Sequence, residues 1–268
     1  MTIQPLTLQP GSPINLDDFD PKYRGDYEKQ SARFELETLK EKLAVLQERL
    51  YAEGKQSLLI VLQAMDAGGK DGTIEHVFEG INPQGVRVAS FKKPTDEELS
   101  HDFLWRIHQE VPPKGYIGIL NRSHYEDVLV VRVNSLVPES VWRNRYDHIN
   151  NFERLLADDG MRILKFYLHI DKQEQRERFQ ARLDDPAKHW KFSLGDLPVR
   201  EQWDNYMAAY QDALTRCNTD YAPWYIVPAN RKWYRNLVVT KAIVDTLEEM
   251  NPQYPSPESG LDKVAIPD

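Results

Sequence analysis

Residues 57–73 read SLLIVLQAMDAGGKDGT. The stretch starts with a short continuous apolar run, which is typical of a parallel strand that is covered on both faces. A glycine-rich turn follows, and then Ile74, Val77 and Phe78 recur at helical spacing. The small residues of the turn allow consecutive backbone N–H groups to point around a phosphate at the start of a helix. This stretch therefore predicts a strand, a phosphate-binding loop and a helix.

Within the loop, Lys70 has the reach to contact outer phosphate oxygens and to counter charge during transfer. The usual pattern G-x-x-x-x-G-K-[ST] has glycine where Ala64 stands and a hydroxyl residue where Asp71 stands. Because that hydroxyl normally helps to hold Mg²⁺, we expect Asp66, a hard oxygen ligand, to replace it. An ordinary turn with an exposed lysine is the alternative. The predicted phosphate-binding residues are Ala67, Gly68, Gly69, Lys70, Asp71 and Gly72.

Four further apolar runs, at residues 86–91, 116–120, 163–170 and 224–227, read as buried strands and alternate with helical patterns. This alternation predicts an α/β fold with a parallel sheet and right-handed crossovers. One of the helices follows a capping box formed by Thr95 and Glu98. Others are expected over residues 142–156 and 233–250.

A leucine stripe marks the helix expected over residues 34–50. Its members recur at alternating steps of three and four: Leu36, Leu39, Leu43, Leu46 and Leu50. Such a stripe lies on one face of a helix. Packing against the core of the same chain is the favoured interpretation, and a dimer seam is the alternative.

The segment 171–215 interrupts the alternation of strands and helices. It reads as two helices, about 172–183 and 200–215, joined by a polar linker that contains two prolines. A helical hairpin between the last two strands is where a closing lid is expected. Arg178 and Arg182 lie four residues apart and share one helix face. A simple solvated hairpin is the alternative.

Residues 120–127, LNRSHYED, follow the third apolar run. Ligands of open α/β sheets gather at strand carboxyl ends, so we expect this polar cluster to face the phosphate-binding loop. Arg122 offers a planar fork that matches phosphate oxygens. Glu126 and Asp127 offer carboxylates for a metal or for orienting a nucleotide. The alternative is that these carboxylates form structural ion pairs with Arg122 and Arg132.

Several ring side chains are candidates for the same site. His124 is expected to be a hydrogen-bonded structural residue rather than a phosphohistidine nucleophile, because direct in-line transfer needs no covalent intermediate. Phe103, Trp105, Tyr125 and Trp190 are candidates for stacking on a base, although most aromatic residues at helical spacing belong to a core.

Composition narrows the possible partners and the location. The chain of 268 residues has a net charge of −8, which disfavours broad, non-specific nucleic-acid binding. Cys217 is the only cysteine, so no intrachain disulfide is possible. The N-terminus lacks the pattern of a secretory signal, and no apolar run approaches the roughly 20 residues that span a bilayer. We therefore predict no nucleic-acid or membrane partner and a cytoplasmic location.

Five motifs together resemble the polyphosphate kinase 2 family over roughly residues 30–255. They are MDAGGKDG at 65–72, NRSHYED at 121–127, PAKHWKF at 186–192, APWY at 222–225 and RKWY at 231–234. The resemblance implies a three-layer, thymidylate-kinase-like P-loop fold with a five-stranded parallel sheet and an inserted helical lid. It also implies Mg²⁺ dependence and phosphoryl transfer between polyphosphate and nucleotides. The pair Glu126-Asp127 resembles the class III group, polyphosphate:AMP/ADP phosphotransferases that phosphorylate both nucleoside mono- and diphosphates.

The residues and the resemblance together predict the roles within the site. Direct in-line transfer is expected to depend on positioning and electrostatics, with catalytic roles for Lys70, Arg122, Asp66, Arg178 and Glu126. Further binding residues are expected to be Arg182, Lys92, Lys93, Lys188 and Asn121. Asp66 and Asp127 are the predicted Mg²⁺ ligands. Many relatives have aspartate where Asn121 stands, so the second metal ligand is left open between Asn121 and Asp127.

We predict an extended arm over residues 1–30, a P-loop kinase domain over 31–255 with its lid at about 171–215, and a tail over 256–268. The expected partners are inorganic polyphosphate, AMP, ADP and ATP, bound by a homodimer or homotetramer. An ATP-dependent nucleoside monophosphate kinase is the leading alternative. A non-catalytic nucleotide-sensing module is the third.

Overall fold

A five-stranded parallel sheet forms the centre of the molecule, which the computed structural model describes over residues 8–261 and 264–267. Its strands are β1 (Ser57–Gln63), β2 (Val86–Ser90), β3 (Ile117–Asn121), β4 (Met161–His169) and β5 (Trp224–Pro228). They lie in the order β2-β3-β1-β4-β5, and each neighbouring pair is parallel. The predicted sheet is therefore confirmed, with β1 at its centre and buried along its whole length.

The strand β2 differs from the sequence-based expectation of a buried strand. It lies at the edge of the sheet, next to β3. Arg87, Val88 and Ser90 are exposed, and the other two residues of the strand are only partly buried. An edge position leaves one side of a strand without a neighbour, which the composition of the segment does not reveal.

Ten α-helices connect and cover the strands in the described residues. They are α1 (Lys29–Glu53), α2 (Lys70–Val77), α3 (Asp96–Ser100), α4 (Trp105–His108), α5 (Val130–Val133), α6 (Glu139–Asp158), α7 (Lys172–Leu183), α8 (Asp196–Glu201), α9 (Trp203–Arg216) and α10 (Lys232–Met250). Short 3-10 helices cover Leu16–Asp18, Pro83–Gly85, His124–Asp127 and Pro186–Lys191. None of the helices in the described part combines the length and apolar character needed to cross a membrane.

The helices form two layers on the sheet, which confirms the three-layer α/β fold. Lys165 and Tyr167, two residues apart on β4, contact Glu153 of α6 and Tyr210 of α9. The helices α1 and α2 pack on α10, which itself packs on β4 and β5. The leucine stripe of α1 is buried in this layer, so its interpretation as core is right and it provides no dimer seam.

Two predicted helices are divided in the structure. The capping box of Thr95 and Glu98 is present, but α3 ends at Ser100 and the chain resumes a helix only at Trp105. The second helix of the segment between β4 and β5 is likewise split into α8 and α9. We refer to the whole of α7–α9 with its connections, residues 171–216, as the inserted segment. Its first helix begins as expected, with the Asp171 carboxylate accepting from the Glu174 N–H at 2.7 Å.

The described part of the N-terminal arm packs on the body of the protein. Ile14 and Leu16 are buried. Their backbone N–H groups donate to Thr215 Oγ1 at 3.0 Å and Gln211 Oε1 at 2.8 Å, both on α9. The arm is thus anchored to the last helix of the inserted segment.

The strand register sets the position of the candidate site. Leu62 of β1 is level with Asn121 of β3, and Gln63 is level with Tyr167 of β4. Parallel strands direct their carboxyl ends to the same edge of the sheet. The loop after β1 and the residues after β3 therefore emerge side by side.

Candidate functional site

The phosphate loop, residues 64–70, turns sharply between β1 and α2. Ala67 and Gly69 have φ values of 60° and 106°, and Gly69 caps the N-terminus of α2. A Cβ atom on Gly68 would lie 2.5 Å from Cβ of Ala64, and one on Gly69 would collide with the guanidinium of Arg235. The loop is therefore built for residues without side chains, which leaves its backbone close to whatever lies at the start of the helix.

Lys70 begins α2 and its side chain returns over the loop. Its Nζ donates to the Ala64 carbonyl at 2.9 Å. Burial and then the charge of Arg122 lower the pKa of Lys70, and Asp66, Glu126 and Asp71 partly oppose this shift. A desolvated ammonium that repels a neighbouring guanidinium is a favourable place for an anion.

Arg122, directly after β3, lies in the same cleft as Lys70. Its backbone has a φ of 63°, and its N–H donates to the Leu62 carbonyl of β1 at 3.2 Å. The guanidinium donates to Asp66 Oδ1 at 2.8 Å and its side chain stays 40% exposed. Burial lowers its pKa, but Glu126 and Asp66 outweigh this, so the pKa of Arg122 is raised. The phosphate loop and the β3 tip, residues 122–127, thus face one another as expected.

The other predicted residues of the loop and the tip also meet. The Asn121 side-chain amide donates to Asp71 Oδ1 at 2.6 Å. Glu126 lies close enough for its charge to act on Lys70 and Arg122. The structure therefore brings together Asp66, Lys70, Asp71, Asn121, Arg122 and Glu126.

Arg178 of α7 contacts the phosphate loop directly. Its guanidinium donates to the carbonyls of Ala67 and Gly68, both at 2.9 Å, and to that of Ala229 after β5 at 2.6 Å. Its Nε donates to Glu174 at 2.7 Å. Arg178 thus ties the inserted segment to the back of the loop and to the end of β5.

The remaining predicted basic residues lie farther from the loop. The Arg182 guanidinium donates to the Lys191 carbonyl at 2.8 Å, and Lys188 pairs with Asp185 at 2.7 Å. Lys92 and Lys93 are exposed after β2, on the edge of the sheet. None of these four is brought into contact with the loop in the described residues.

Three residues of the site were missed by sequence reasoning. Gln175 of α7 is buried and its amide donates to the Asp66 carbonyl at 2.9 Å. Asp196 of α8 lies close enough to Asp66 for the two charges to interact. Burial and then the Asp66 charge raise the pKa of Asp196. Arg235 of α10 is 2% exposed under the loop, where burial and then Arg178 lower its pKa to about 9. Each depends on a contact between distant segments that no local pattern signals.

The ring side chains that were candidates for the site differ in how far they are buried. Tyr125 is fully buried, so it cannot stack on a bound base. Phe103 lies under the Arg145 guanidinium at 4.8 Å, and Trp105 is stacked on a histidine. Trp190 is 79% exposed. His124 is buried and hydrogen-bonded to Glu153 at 3.1 Å, which is the structural role expected of it.

Asp127 has a different environment from Asp66. It is 8% exposed and pairs with Arg145 of α6 at 2.7 Å. Burial raises the pKa of Asp127 to about 6, against the opposing charges of Arg145 and Arg106. The carboxylate is thus engaged by α6 rather than by the arginines at 122 and 132, and Arg132 pairs with Asp212 instead.

The raised pKa of Asp127 gives a test of its environment. Between pH 3.8 and about 6 the folded protein binds this proton more tightly than the unfolded chain, so stability falls as pH rises. At about 1.4 kcal/mol for each pKa unit, the free energy of unfolding of the wild type should fall by roughly 3 kcal/mol relative to Asp127→Asn. Urea unfolding from pH 3.5 to 6.5 measures this difference. The exposed control Asp159→Asn should show no such trend, and a flat difference for Asp127→Asn would contradict the assignment.

The donor set of the cleft fits Mg²⁺. Asp66 and Glu126 supply hard carboxylate oxygens beside the phosphate loop, and Asp196 approaches from α8. No three acidic, histidine or cysteine side chains in the described ranges stand close enough to enclose a metal by themselves. Mg²⁺ usually keeps several waters and uses one or two carboxylates together with substrate phosphates, and Asp66 and Glu126 can provide those carboxylates.

The fold and the site define a P-loop kinase, in which a glycine-rich loop opening a helix is faced by an arginine from the neighbouring strand. A family model described as Polyphosphate kinase 2 (PPK2) matches residues 26–255. The chain belongs to the polyphosphate kinase 2 family.

Individual relatives agree with this assignment. The chain is 57% identical to the AMP/ADP-polyphosphate phosphotransferase of Meiothermus ruber, over 97% of this chain and 98% of the relative. It is 45% identical to the ADP-polyphosphate phosphotransferase of Rhodopseudomonas palustris, over 91% and 89%. The crystal structure of Polyphosphate Kinase 2 from Arthrobacter aurescens superimposes with a TM-score of 0.92 at 44% identity, covering 96% of this chain and 93% of that one.

Proposed function

We propose that this enzyme transfers the terminal phosphoryl group of inorganic polyphosphate to AMP and to ADP, yielding ADP and ATP. The names of two highly similar relatives support these substrates. The observation that carries the proposal is the meeting of Lys70 and Arg122 at Asp66, between the phosphate loop and the β3 tip. Two cations at one cleft match the charge of a phosphoryl group in transfer.

Each residue of the site has a proposed role in phosphoryl transfer that follows from its position. The loop amides and Lys70 hold the phosphoryl group, and Arg122 neutralises charge on its oxygens. Glu126 orients the acceptor nucleotide from the same tip. Arg178 keeps the loop carbonyls directed away from the phosphate, because it engages those of Ala67 and Gly68. A Mg²⁺ ion held at Asp66, with Glu126 as the neighbouring carboxylate rather than Asp127, which is paired with Arg145, would supply further positive charge to the phosphates.

A donor-exchange assay tests this proposal. The protein is incubated with AMP, Mg²⁺ and polyphosphate, with no ATP present, and nucleotides are separated by chromatography. Formation of ADP and then ATP is expected, with turnover that falls steeply as salt rises, because the donor is a polyelectrolyte. If ADP appears only when ATP is the donor, the protein is an ATP-dependent nucleoside monophosphate kinase instead. Tight nucleotide binding without turnover from any donor would indicate a sensing module.

Replacement of Arg235 is expected to affect the melting temperature differently without and with a phosphate ligand. Because its charge is desolvated, as its lowered pKa of about 9 indicates, Arg235→Met should leave the melting temperature without ligand unchanged or higher. Tripolyphosphate should raise the melting temperature of the wild type by preferential binding to the folded state. Because the Arg235 guanidinium lies against Gly69, its charge is expected to attract a phosphate held by the loop, so Arg235→Met should lose most of that rise. The exposed control Arg162→Met should keep it. An undiminished rise in Arg235→Met would contradict a phosphate-binding role.

We also propose a cytoplasmic location and a homodimer or homotetramer. The single cysteine, Cys217, is free and buried, which fits a reducing compartment. The assembly state is measured directly by sedimentation equilibrium, and a mass of one chain at micromolar concentration would contradict the oligomer.

A further inference from the structure

A cluster of polar side chains is sealed beneath the β3 tip. Lys165 of β4 and Glu153 of α6 are at most 1% exposed, and His124 and Tyr125 of the tip are fully buried. Lys165 Nζ donates to Glu153 Oε2 at 2.5 Å, to the Tyr125 hydroxyl at 2.8 Å and to the Cys217 carbonyl at 2.6 Å. The Tyr125 hydroxyl in turn donates to Glu153 Oε1 at 2.8 Å. The sheet, α6 and the tip thus meet in one hydrogen-bonded unit.

The ammonium of Lys165 is fully hydrogen-bonded, whereas His124 Nδ1 is buried without a hydrogen-bond partner in the described residues, and the unit is costly to bury. An ammonium has three donors, and Lys165 uses one for each of its three acceptors. Although burial acts in the opposite direction, the Lys165 charge and then the hydrogen bond from His124 hold the pKa of Glu153 below its usual value. Apolar side chains of similar volume often replace a buried ion pair without loss of stability. Stability alone therefore gives little reason for this arrangement, whereas fixed geometry does.

The unit sits where fixed geometry is needed. Tyr125 is adjacent to Glu126, whose charge acts on Lys70 and Arg122 in the cleft. On the other side of the tip, Ser123 is hydrogen-bonded to Gln63 at the end of β1, at 3.1 Å. Arg122, which directly precedes Ser123, has a left-handed φ of 63°, a conformation that persists only where its surroundings enforce it.

We infer that Lys165 and Glu153, acting through the hydroxyl of Tyr125, position Glu126 for phosphoryl transfer. None of the three touches the substrate, so they are positioning residues. The inference rests on the proposed function only for the identity of the donor, because the same geometry serves transfer from any phosphoryl donor.

Tyr125→Phe removes the hydroxyl and keeps the buried ring. We expect kcat to fall about 10- to 100-fold, the scale on which small misplacements of catalytic groups act. Tyr221→Phe is the matched control, since its hydroxyl donates at 3.1 Å to the Asn150 carbonyl, elsewhere on α6. The control should keep kcat within twofold of the wild type.

A double-mutant cycle with Glu126→Gln separates positioning from general support of the fold. If Tyr125 acts through Glu126, Tyr125→Phe should change kcat by no more than about threefold in the Glu126→Gln background, because coupled residues are non-additive. Equal fold-losses in both backgrounds, or an unchanged kcat in Tyr125→Phe, would overturn the inference. Lys165→Met, which keeps the Tyr125–Glu153 bond, repeats the cycle if Tyr125→Phe does not fold. Failure of both variants to fold would assign the unit to folding and also overturn the inference.

The cycle is run with whichever donor supports turnover of the wild type. A wild type that is inactive with polyphosphate but active with ATP would refute the proposed donor and leave the cycle decisive for positioning. The two failures are therefore distinguishable.

Discussion

Replacement of Lys70 by methionine is expected to lower kcat for polyphosphate-dependent phosphorylation of AMP by about 1000-fold, the upper range for loss of one preorganised charge-stabilising group. The ammonium of Lys70 lies in the cleft beside Arg122 and Asp66, desolvated and held only by the Ala64 carbonyl among its described hydrogen bonds. Methionine preserves most of the side-chain volume and removes the charge. Initial rates at saturating AMP and polyphosphate measure the loss.

The fold should survive this change. Burial lowers the pKa of Lys70, which means that the folded state disfavours its charge, so the melting temperature of Lys70→Met should equal or exceed that of the wild type at pH 7. Lys114→Met is the control, because Lys114 is about half exposed and pairs at 3.6 Å with an exposed aspartate. A Lys70→Met variant that keeps more than a tenth of wild-type kcat would remove Lys70 from the transfer step.

Replacement of Arg122 by lysine is expected to lower kcat about 100-fold, although the charge is retained. The Arg122 guanidinium donates to Asp66 Oδ1 at 2.8 Å while 40% of its side chain stays exposed to the cleft. A planar fork can hold Asp66 and a phosphoryl oxygen at the same time, whereas an ammonium acts as a single point charge. The rates of Arg122→Lys and Arg122→Met, compared at saturating substrates, distinguish the contribution of the planar guanidinium geometry from that of the positive charge.

Arg143→Lys provides the control for this substitution. Arg143 is half exposed on α6 and pairs with Glu139 one turn away. Its exchange should leave kcat unchanged. Arg122→Lys activity equal to that of the wild type would mean that bidentate contact with phosphate plays no part, and Arg122→Met activity equal to that of the wild type would exclude any catalytic role.

The centre of the fold and half of the site were predictable from local patterns. The apolar run before residue 64 and the glycines after it define a strand and a loop without reference to the rest of the chain. The position of Arg122 opposite Lys70 follows from a general property of parallel sheets, whose strands end at one edge. The strand register, with Leu62 level with Asn121, realises this expectation.

The contacts that complete the site could not be read from the sequence. Arg178 was expected to face the substrate from a lid, but it is bound to loop carbonyls that no sequence pattern reveals. Lys165 stands in an apolar run, and its partner Glu153 lies twelve residues earlier on another element. Arg235 comes under the loop only because α10 packs against α2. Tertiary packing determines these positions, and it also determines the exposure of β2 and the burial of Tyr125.

The structure of the protein bound to Mg²⁺ and tripolyphosphate tests the central claim most directly. The loop amides, Lys70 Nζ and the Arg122 guanidinium should all lie within about 2.7–3.2 Å of oxygens on one terminal phosphoryl group. In that complex Lys70 should leave the Ala64 carbonyl, to which it donates here. A tripolyphosphate bound elsewhere, with Lys70 still on Ala64 and Arg122 still engaged only by Asp66, would contradict a shared phosphoryl site.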